Sequence, residues 1–300
     1  MIIISNRTRG TLMVVAGVLL LSVQGLLIRQ VAANRWTLIC CRGFLMFVSL
    51  SIGLTVCWRR RSLSRFLAIG WTGVIAAVIL AVSNILFVSA FTLTSIANTL
   101  VLANSAPLLV ALLSWVILRE KVPGYTWGAI LVGVVGIAVI FHGSLTGVLS
   151  SAGDLCAFGA AITFAGYLIF LRHAKDINMI PSLALSGFLI TFFVLPGARP
   201  FSISGADFGL FLLIGGVSLS GGMALVTLSP RYLPATEVGL IMLLEAVLGS
   251  TWAWMILSEI PGLESLLGGA MVIGALVFNA LAGWKNSQAT KSIENYREII

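Results

Sequence analysis

Stretches of roughly 15 to 26 mostly apolar residues recur along the chain, separated by short segments that hold the charges and many of the prolines and glycines. Ten can be marked, at residues 11–28, 36–57, 66–91, 96–118, 124–141, 153–171, 182–196, 208–228, 236–257 and 263–283. A helix needs roughly 20 apolar residues to cross a bilayer. Hydrocarbon also leaves helices and closed barrels as the only spanning structures, because every backbone polar group must be satisfied internally. The pattern therefore predicts an all-α integral membrane protein of ten transmembrane helices, here called spans one to ten. The seventh, ending at Pro196, is the shortest. The first, Thr11 to Ile28 after Arg7 and Arg9, has the layout of a secretory signal, with Val31-Ala32-Ala33 offering small residues for cleavage. It is longer than a signal core of about 7 to 15 residues and further spans follow it, so it is read as a retained helix.

Composition agrees: 59% of the 300 residues are apolar and 9% charged, with mean hydropathy +1.09. A soluble domain is about a quarter charged. A cytosolic globular protein, a disordered chain and a nucleic-acid binder are excluded. No stretch is left for a separate soluble domain, so residues 1–300 are expected to form a single membrane domain.

The net charge of +8 is informative through its placement. Arg7, Arg9, Arg59, Arg60, Arg61, Arg65, Arg119, Lys121, Arg172, Lys175, Arg231, Lys285, Lys291 and Arg297, 14 of the 18 basic residues, fall on one side of the ten-span pattern. The other side holds only Arg29, Arg35 and Arg199, and Arg42 falls inside span two. The positive-inside rule then puts both termini, with a tail at 285–300, in the cytoplasm, and a bacterial cytoplasmic membrane is the expected location. The triplet Arg59-Arg60-Arg61 serves as a topology anchor, with anionic lipid as a second reading. Cys40, Cys41, Cys57 and Cys156 lie in or beside apolar runs without a CxxC or a ligand-spaced histidine. They are read as buried free thiols, and neither metal nor cofactor is expected.

Two stretches 139 residues apart read alike: Trp115-Val116-Ile117-Leu118-Arg119-Glu120 and Trp254-Met255-Ile256-Leu257-Ser258-Glu259. Each is followed by a proline, Pro123 or Pro261, and then by G-A-x-x-x-G at Gly128–Gly133 or Gly269–Gly274. Upstream, Gly10 to Arg29 aligns with Gly153 to Arg172, and Gly43-Phe44 with Gly187-Phe188. The chain is thus expected to be two repeats, about 10–141 and 153–283, of five spans each. Five is odd, so the second repeat is inverted relative to the first. Inverted repeats are the architecture of alternating-access transporters, with the substrate near the midplane between the halves.

These residues resemble the drug/metabolite transporter superfamily in its ten-helix EamA-type branch. The resemblance rests on Ala90-Phe91-Thr92-Leu93-Thr94-Ser95-Ile96-Ala97, Pro107, Glu120 and Gly128-Ala129 in the first half, and on Arg231-Tyr232-Leu233-Pro234-Ala235-Thr236, Glu245, Glu259 and Gly269-Ala270 in the second. Arg42 in span two is also similar to the family pattern. The chain departs at Glu245-Ala246, where the family commonly has Glu-Pro, so no proline is present to break span nine. The resemblance implies export of amino acids or related metabolites.

Polar groups inside hydrocarbon each ask for an explanation. Glu245 lies nine residues into span nine, about 14 Å deep. It is a candidate to bind a substrate ammonium or to carry a coupling proton, against a structural role packed between helices. Arg42 is six residues into span two, roughly 9 Å from its end; it is a candidate carboxylate reader, against snorkelling or tying helices together. Gln24, Asn84, Asn98, Asn104 and Tyr167 are further candidates for the central cavity, against ordinary interhelical hydrogen bonds. Phe87, Phe91, Phe164 and Trp252 are candidates for an apolar wall. Pro107 is expected to kink span four as a hinge element or as static packing. The Gly-Ala-x-x-x-Gly faces and Ser218-x-x-x-Gly222 are assigned to close helix packing, and Glu120 and Glu259 to the membrane boundary and loop ordering.

The leading reading is a secondary transporter exporting small polar organic solutes by alternating access, with proton coupling and facilitated diffusion both open. Its partners are a small-molecule substrate, protons in the coupled case, and membrane lipids; monomer and homodimer are both open. No GxxxxGK[ST] motif occurs, so ATP is not used within this chain. A channel-like or lipid-moving facilitator is the alternative. An enzyme is disfavoured: His142 and His173 lie at span ends on opposite sides, and no HExxH or GxSxG occurs.

Overall fold

A computed structural model describes residues 6–58, 69–119, 122–146, 151–173, 180–229, 232–233, 238 and 241–299. Nine helices among them are long and apolar enough to cross a membrane: Thr8–Gln30, Arg35–Val56, Gly70–Leu93, Ile96–Val116, Gly124–Gly143, Ser151–Phe170, Ile180–Gly197, Gly205–Leu228 and Leu263–Gly283. A shorter apolar helix, Leu244–Leu257, stands where span nine is expected. The helix of span ten continues to Ile299. Much of span nine before Leu244 lies outside the described residues, as do Arg59, Arg60, Arg61, Arg65, Glu120, Lys121, Lys175, Arg231, Pro234, Ala235 and Thr236. The outer surface is apolar, with Leu131, Val134, Trp71 and Met255 exposed, as a lipid-facing surface requires.

The two repeats are legible in the backbone. Arg119 and Ser258, 139 residues apart, close their helices in the left-handed conformation with φ 54° and 55°. A non-glycine residue there costs roughly 1–2 kcal/mol, so the recurrence marks one repeated helix end. Span four breaks at Asn104 and Ser105, where ψ is −3° and −9° against about −42° in a regular helix. Span nine has a turn at Leu243, the 139-residue equivalent of Asn104, with ψ −23°. The break therefore recurs although Ala246 stands in place of Pro107. Pro107 itself lies in the first turn of the new segment Ala106–Leu118, where its missing N–H leaves no bond unmade. A third break, at Val23 with ψ −7°, divides span one and carries no proline or glycine at that position.

Helix packing maps onto itself when the repeats are exchanged. Spans two and seven, equivalent helices, cross where Gly43 and Gly187 meet; a Cβ on Gly187 would stand 2.8 Å from the Gly43 carbonyl oxygen. Spans five and ten, also equivalent, cross at Gly136 and Gly268. Span one packs on span eight through Gly17 and Gly222, and Ser218 Oγ donates to the Leu20 carbonyl; the equivalent pair, three and six, is joined by Ser83 Oγ donating to the Ala160 carbonyl at 3.0 Å. Spans five and ten therefore do not meet through the Gly-Ala-x-x-x-Gly faces: Gly128 and Gly274 face open space, and their neighbour helix is reached through Gly136 and Gly268. The motifs' other glycines, Gly133 and Gly269, pack on span four, against Leu108 and Val101.

A Cβ on Gly187 would meet backbone atoms, which cannot swing aside as a side chain can. Gly187→Ala is expected to cost about 1–3 kcal/mol through overpacking. The thermal midpoint in detergent should fall, while Gly274→Ala, with open space at its Cβ, should leave it in place.

Candidate functional site

The breaks in spans one, four and nine lie around one cavity of about 110 Å³, larger than the roughly 10–15 Å³ a single water requires. Gln24 of span one, Arg42 of span two, Asn84 of span three, Asn104 of span four and Glu245 of span nine contribute its polar lining. Leu21, Phe87, Phe164, Met223 and Met242 supply an apolar wall.

Arg42 is 2% exposed. Span eight presses against its backbone, since a Cβ on Gly215 would stand 2.6 Å from the Arg42 carbonyl oxygen. Its Nη2 donates to Gln24 Oε1 at 2.6 Å, and its buried Nε has no hydrogen-bond partner. A buried unpaired donor is costly, more so when charged. Arg42 lines the cavity, while its Nε is fully buried behind it. Glu245 lines the same cavity at 9% exposure. Among the described residues no hydrogen bond or ion pair joins it to Arg42. A guanidinium and a carboxyl therefore line one space without touching each other.

Asn84 Nδ2 donates to the Leu80 carbonyl at 3.1 Å and Asn104 Nδ2 to the Leu100 carbonyl at 2.8 Å. Each uses its amide nitrogen on its own helix four residues back, leaving Oδ1 as an acceptor beside the cavity. Nearby, Trp252 Nε1 donates to Ser22 Oγ at 3.2 Å, tying span nine to the break in span one.

Asn98 and Tyr167 are placed elsewhere. Tyr167 is buried, stacks on Phe164 with centroids 5.9 Å apart and bonds Ser182 of span seven. Phe91 is in the core, edge-on to Phe87. Asn98 belongs to a second buried polar group near the Arg29 end of the molecule. There Asn98 Nδ2 donates to Asp154 Oδ1 and Oδ2 at 3.2 and 3.3 Å, Thr94 Oγ1 donates to Asp154 Oδ1 at 2.7 Å, and Ser265 Oγ donates to Asn98 Oδ1. Glu259 Oε1 accepts from the Ile96 N–H at 2.8 Å, at the start of span four, and Glu259 Oε2 lies 3.9 Å from Arg29 Nη2. Asp154 was not among the sequence candidates; its one signal is an acid at the second residue of span six, where the aligned residue of span one is Thr11.

Among the described residues no group of three or more His, Cys, Asp or Glu is placed to hold a metal. Cys40, Cys41 and Cys156 are free thiols, Cys40 buried and the other two half-buried; the Cys57 side chain lies outside the described set.

The EamA-like transporter family matches residues 8–142 and 151–281. Uncharacterized transporter YdfC of Bacillus subtilis (strain 168) is 25% identical over 193 residues, 60% of this chain and 61% of that protein. Uncharacterized transporter YwfM of the same strain is 27% identical over 213 residues, 69% and 72% of the two chains. Pseudopaline exporter CntI of Pseudomonas aeruginosa (strain UCBPP-PA14) is 28% identical over 191 residues, 61% and 65%. The chain thus spans about three fifths to seven tenths of the curated relatives it matches. A crystal structure described only as that of a protein superposes with TM-score 0.64 over 92% of this chain and 98% of that one at 17% identity, which is a likeness of fold.

Proposed function

As a member of the EamA-like transporter family this chain is a multi-pass membrane transporter, and we propose that it exports small polar organic solutes, amino acids or related metabolites, by alternating access of one central cavity. One observation carries the reading: a buried guanidinium, Arg42, lines the same cavity as a buried carboxyl, Glu245. A zwitterion answers both. Its carboxylate accepts from Arg42, its ammonium lies toward Glu245, and the apolar wall receives a side chain or backbone methylene. Gln24 holds the guanidinium in place, and the Asn84 and Asn104 oxygens take remaining donors. The breaks beside the cavity, with Pro107 next to one, let the two halves of a span move as separate rods.

The whole described chain acts as one transporter domain, with repeats at about 10–141 and 153–283. The basic-residue bias supports both termini, and the tail at 285–300, in the cytoplasm. The bacterial relatives support a bacterial cytoplasmic membrane, and the name of one relative as an exporter supports outward transport.

Counterflow tests the reading. Purified protein in liposomes preloaded with one unlabelled amino acid is offered the same labelled amino acid outside, across a panel. At least one member should enter faster into preloaded than into empty vesicles, because a carrier returns more quickly when loaded. Equal rates for every transported solute would make the protein channel-like, and no uptake of any zwitterion would remove the proposed substrate class.

A further inference from the structure

The second polar group is separate from the cavity, and the repeat relation places a matching backbone contact at the other end of the molecule. Asp154 is fully buried and Asn98 and Thr94 are 1% exposed. Their hydrogen bonds join the turn before span four, span four itself, span six and span ten. Arg29 adds span one, donating from Nη2 to the Thr94 carbonyl, and Glu259 adds the end of span nine. The backbone is seated as closely: a Cβ on Gly153 would lie 2.6 Å from Thr94 Cβ. Asn98 precedes Asn104 by six residues, about 9 Å along the helix axis, so the group closes the molecule about two helical turns from the cavity.

The repeat relation locates the corresponding contact. Gly10 aligns with Gly153, and a Cβ on Gly10 would lie 2.7 Å from Leu233 Cγ and 2.8 Å from Tyr232 Cβ. Leu233 is the 139-residue equivalent of Thr94, and Thr11 is the equivalent of Asp154. The same backbone contact is therefore made at both ends. Among the described residues Leu233 packs with Val14, Val18 and Val238 at the Gly10 end; at the Arg29 end Thr94 donates to the Asp154 carboxylate.

We propose that Asp154, Thr94, Asn98 and Ser265, braced by Arg29 and Glu259, form a polar latch that holds the Arg29 end closed and so sets how often the cavity opens there. The inference rests on the alternating-access reading of the cavity. Hydrogen bonds in a low-dielectric site depend on all partners being in register, so the latch is made or broken as a unit. Interactions present only in the closed state hold population in that state, and removing them shifts the equilibrium toward opening. In the orientation proposed above the latched gate is the outer one.

Thiol labelling of the full chain in membrane vesicles reads the latch without a substrate. Cys40, Cys41, Cys57 and Cys156 are replaced by serine, Met223→Cys reports the cavity, and Asn34→Cys, exposed beside the Arg29 end, reports which face of the vesicle carries that end. A membrane-impermeant maleimide is applied to that face. Thr94→Val, which removes one hydroxyl at nearly constant volume, should raise the Met223→Cys labelling rate about three- to tenfold, the scale of one or two interhelical hydrogen bonds, and leave the Asn34→Cys rate unchanged. Asp154→Asn should act in the same direction, and Ser265→Ala more weakly. If Thr94→Val and Ser265→Ala purify as monodisperse protein and both label Met223→Cys at the unmodified rate or slower, there is no latch, whether or not Asp154→Asn folds. A raised labelling rate, with no counterflow by protein that keeps Met223, would keep the latch and overturn the transport reading; normal counterflow by that protein with unchanged labelling would do the reverse.

Discussion

Replacing Arg42 with alanine is expected to lower flux of carboxylate-bearing solutes at least about thirtyfold while the protein remains folded. Removing one partner of a buried hydrogen-bonded charge pair costs about 2–5 kcal/mol, and 2 kcal/mol is already that factor. The fold should survive because the guanidinium bonds one side chain, Gln24, and its Nε contributes no internal bond; the helix crossing at this level is made by Gly215 against the Arg42 backbone, which alanine preserves. Arg42→Lys separates charge from geometry. An ammonium keeps the charge but lacks the planar fork that can hold Gln24 with one nitrogen and a ligand with another. Flux should therefore rank arginine above lysine above alanine, and a decarboxylated amine should be less affected than its parent amino acid. The measurement is initial counterflow rate in proteoliposomes at matched reconstitution. Equal loss for the amine and the amino acid, or a protein that aggregates on extraction, would assign Arg42 to helix packing instead.

The spans were legible in the sequence because hydrocarbon imposes a length and an apolar composition on every helix that crosses it. The repeat was legible because Trp115 to Glu120 and Trp254 to Glu259 match beyond what apolarity demands, and the left-handed ends at Arg119 and Ser258 fall within that match. Depth could be read along a helix at 1.5 Å per residue, and it put Arg42 and Glu245 well inside. Direction around the axis could not, since these helices are apolar on nearly every side and carry no polar stripe to orient them. Asn98 and Asn104 share span four, but six residues at about 100° each leave them about 120° apart; Asn104 meets the cavity and Asn98 meets Asp154. Asp154 escaped notice for a related reason. An acid at a span boundary reads as a solvated end, and only the packing of Gly153 onto the Thr94 turn shows it to be interior. The break at Leu243 has no proline or glycine within three residues to announce it, and the break at Val23 has only Gly25, whereas Pro107 announced a break that lies just before it.

Glu245→Gln is expected to uncouple transport from a pH gradient and to slow zwitterion counterflow without abolishing it. The carboxyl lines a cavity bounded by both repeats, so under alternating access it meets water from one side of the membrane and then from the other. A group in that position can take up a proton on one side and release it on the other. Glutamine keeps nearly the same shape and an acceptor oxygen but has no exchangeable charge state at working pH. With one proton per cycle, a gradient of one pH unit can drive about a tenfold concentration ratio of solute, since one unit corresponds to 1.36 kcal/mol. In proteoliposomes the unmodified protein should show a gradient-dependent ratio of that order at most, and Glu245→Gln a ratio near one with exchange still measurable. A ratio that responds equally in both proteins would free Glu245 of the coupling role. Loss of exchange and gradient response together, with amine-free carboxylates still carried, would make it the reader of the ammonium alone. The two outcomes differ because coupling needs a carboxyl that changes charge during the cycle, whereas recognition needs one that stays ionised while the solute is bound.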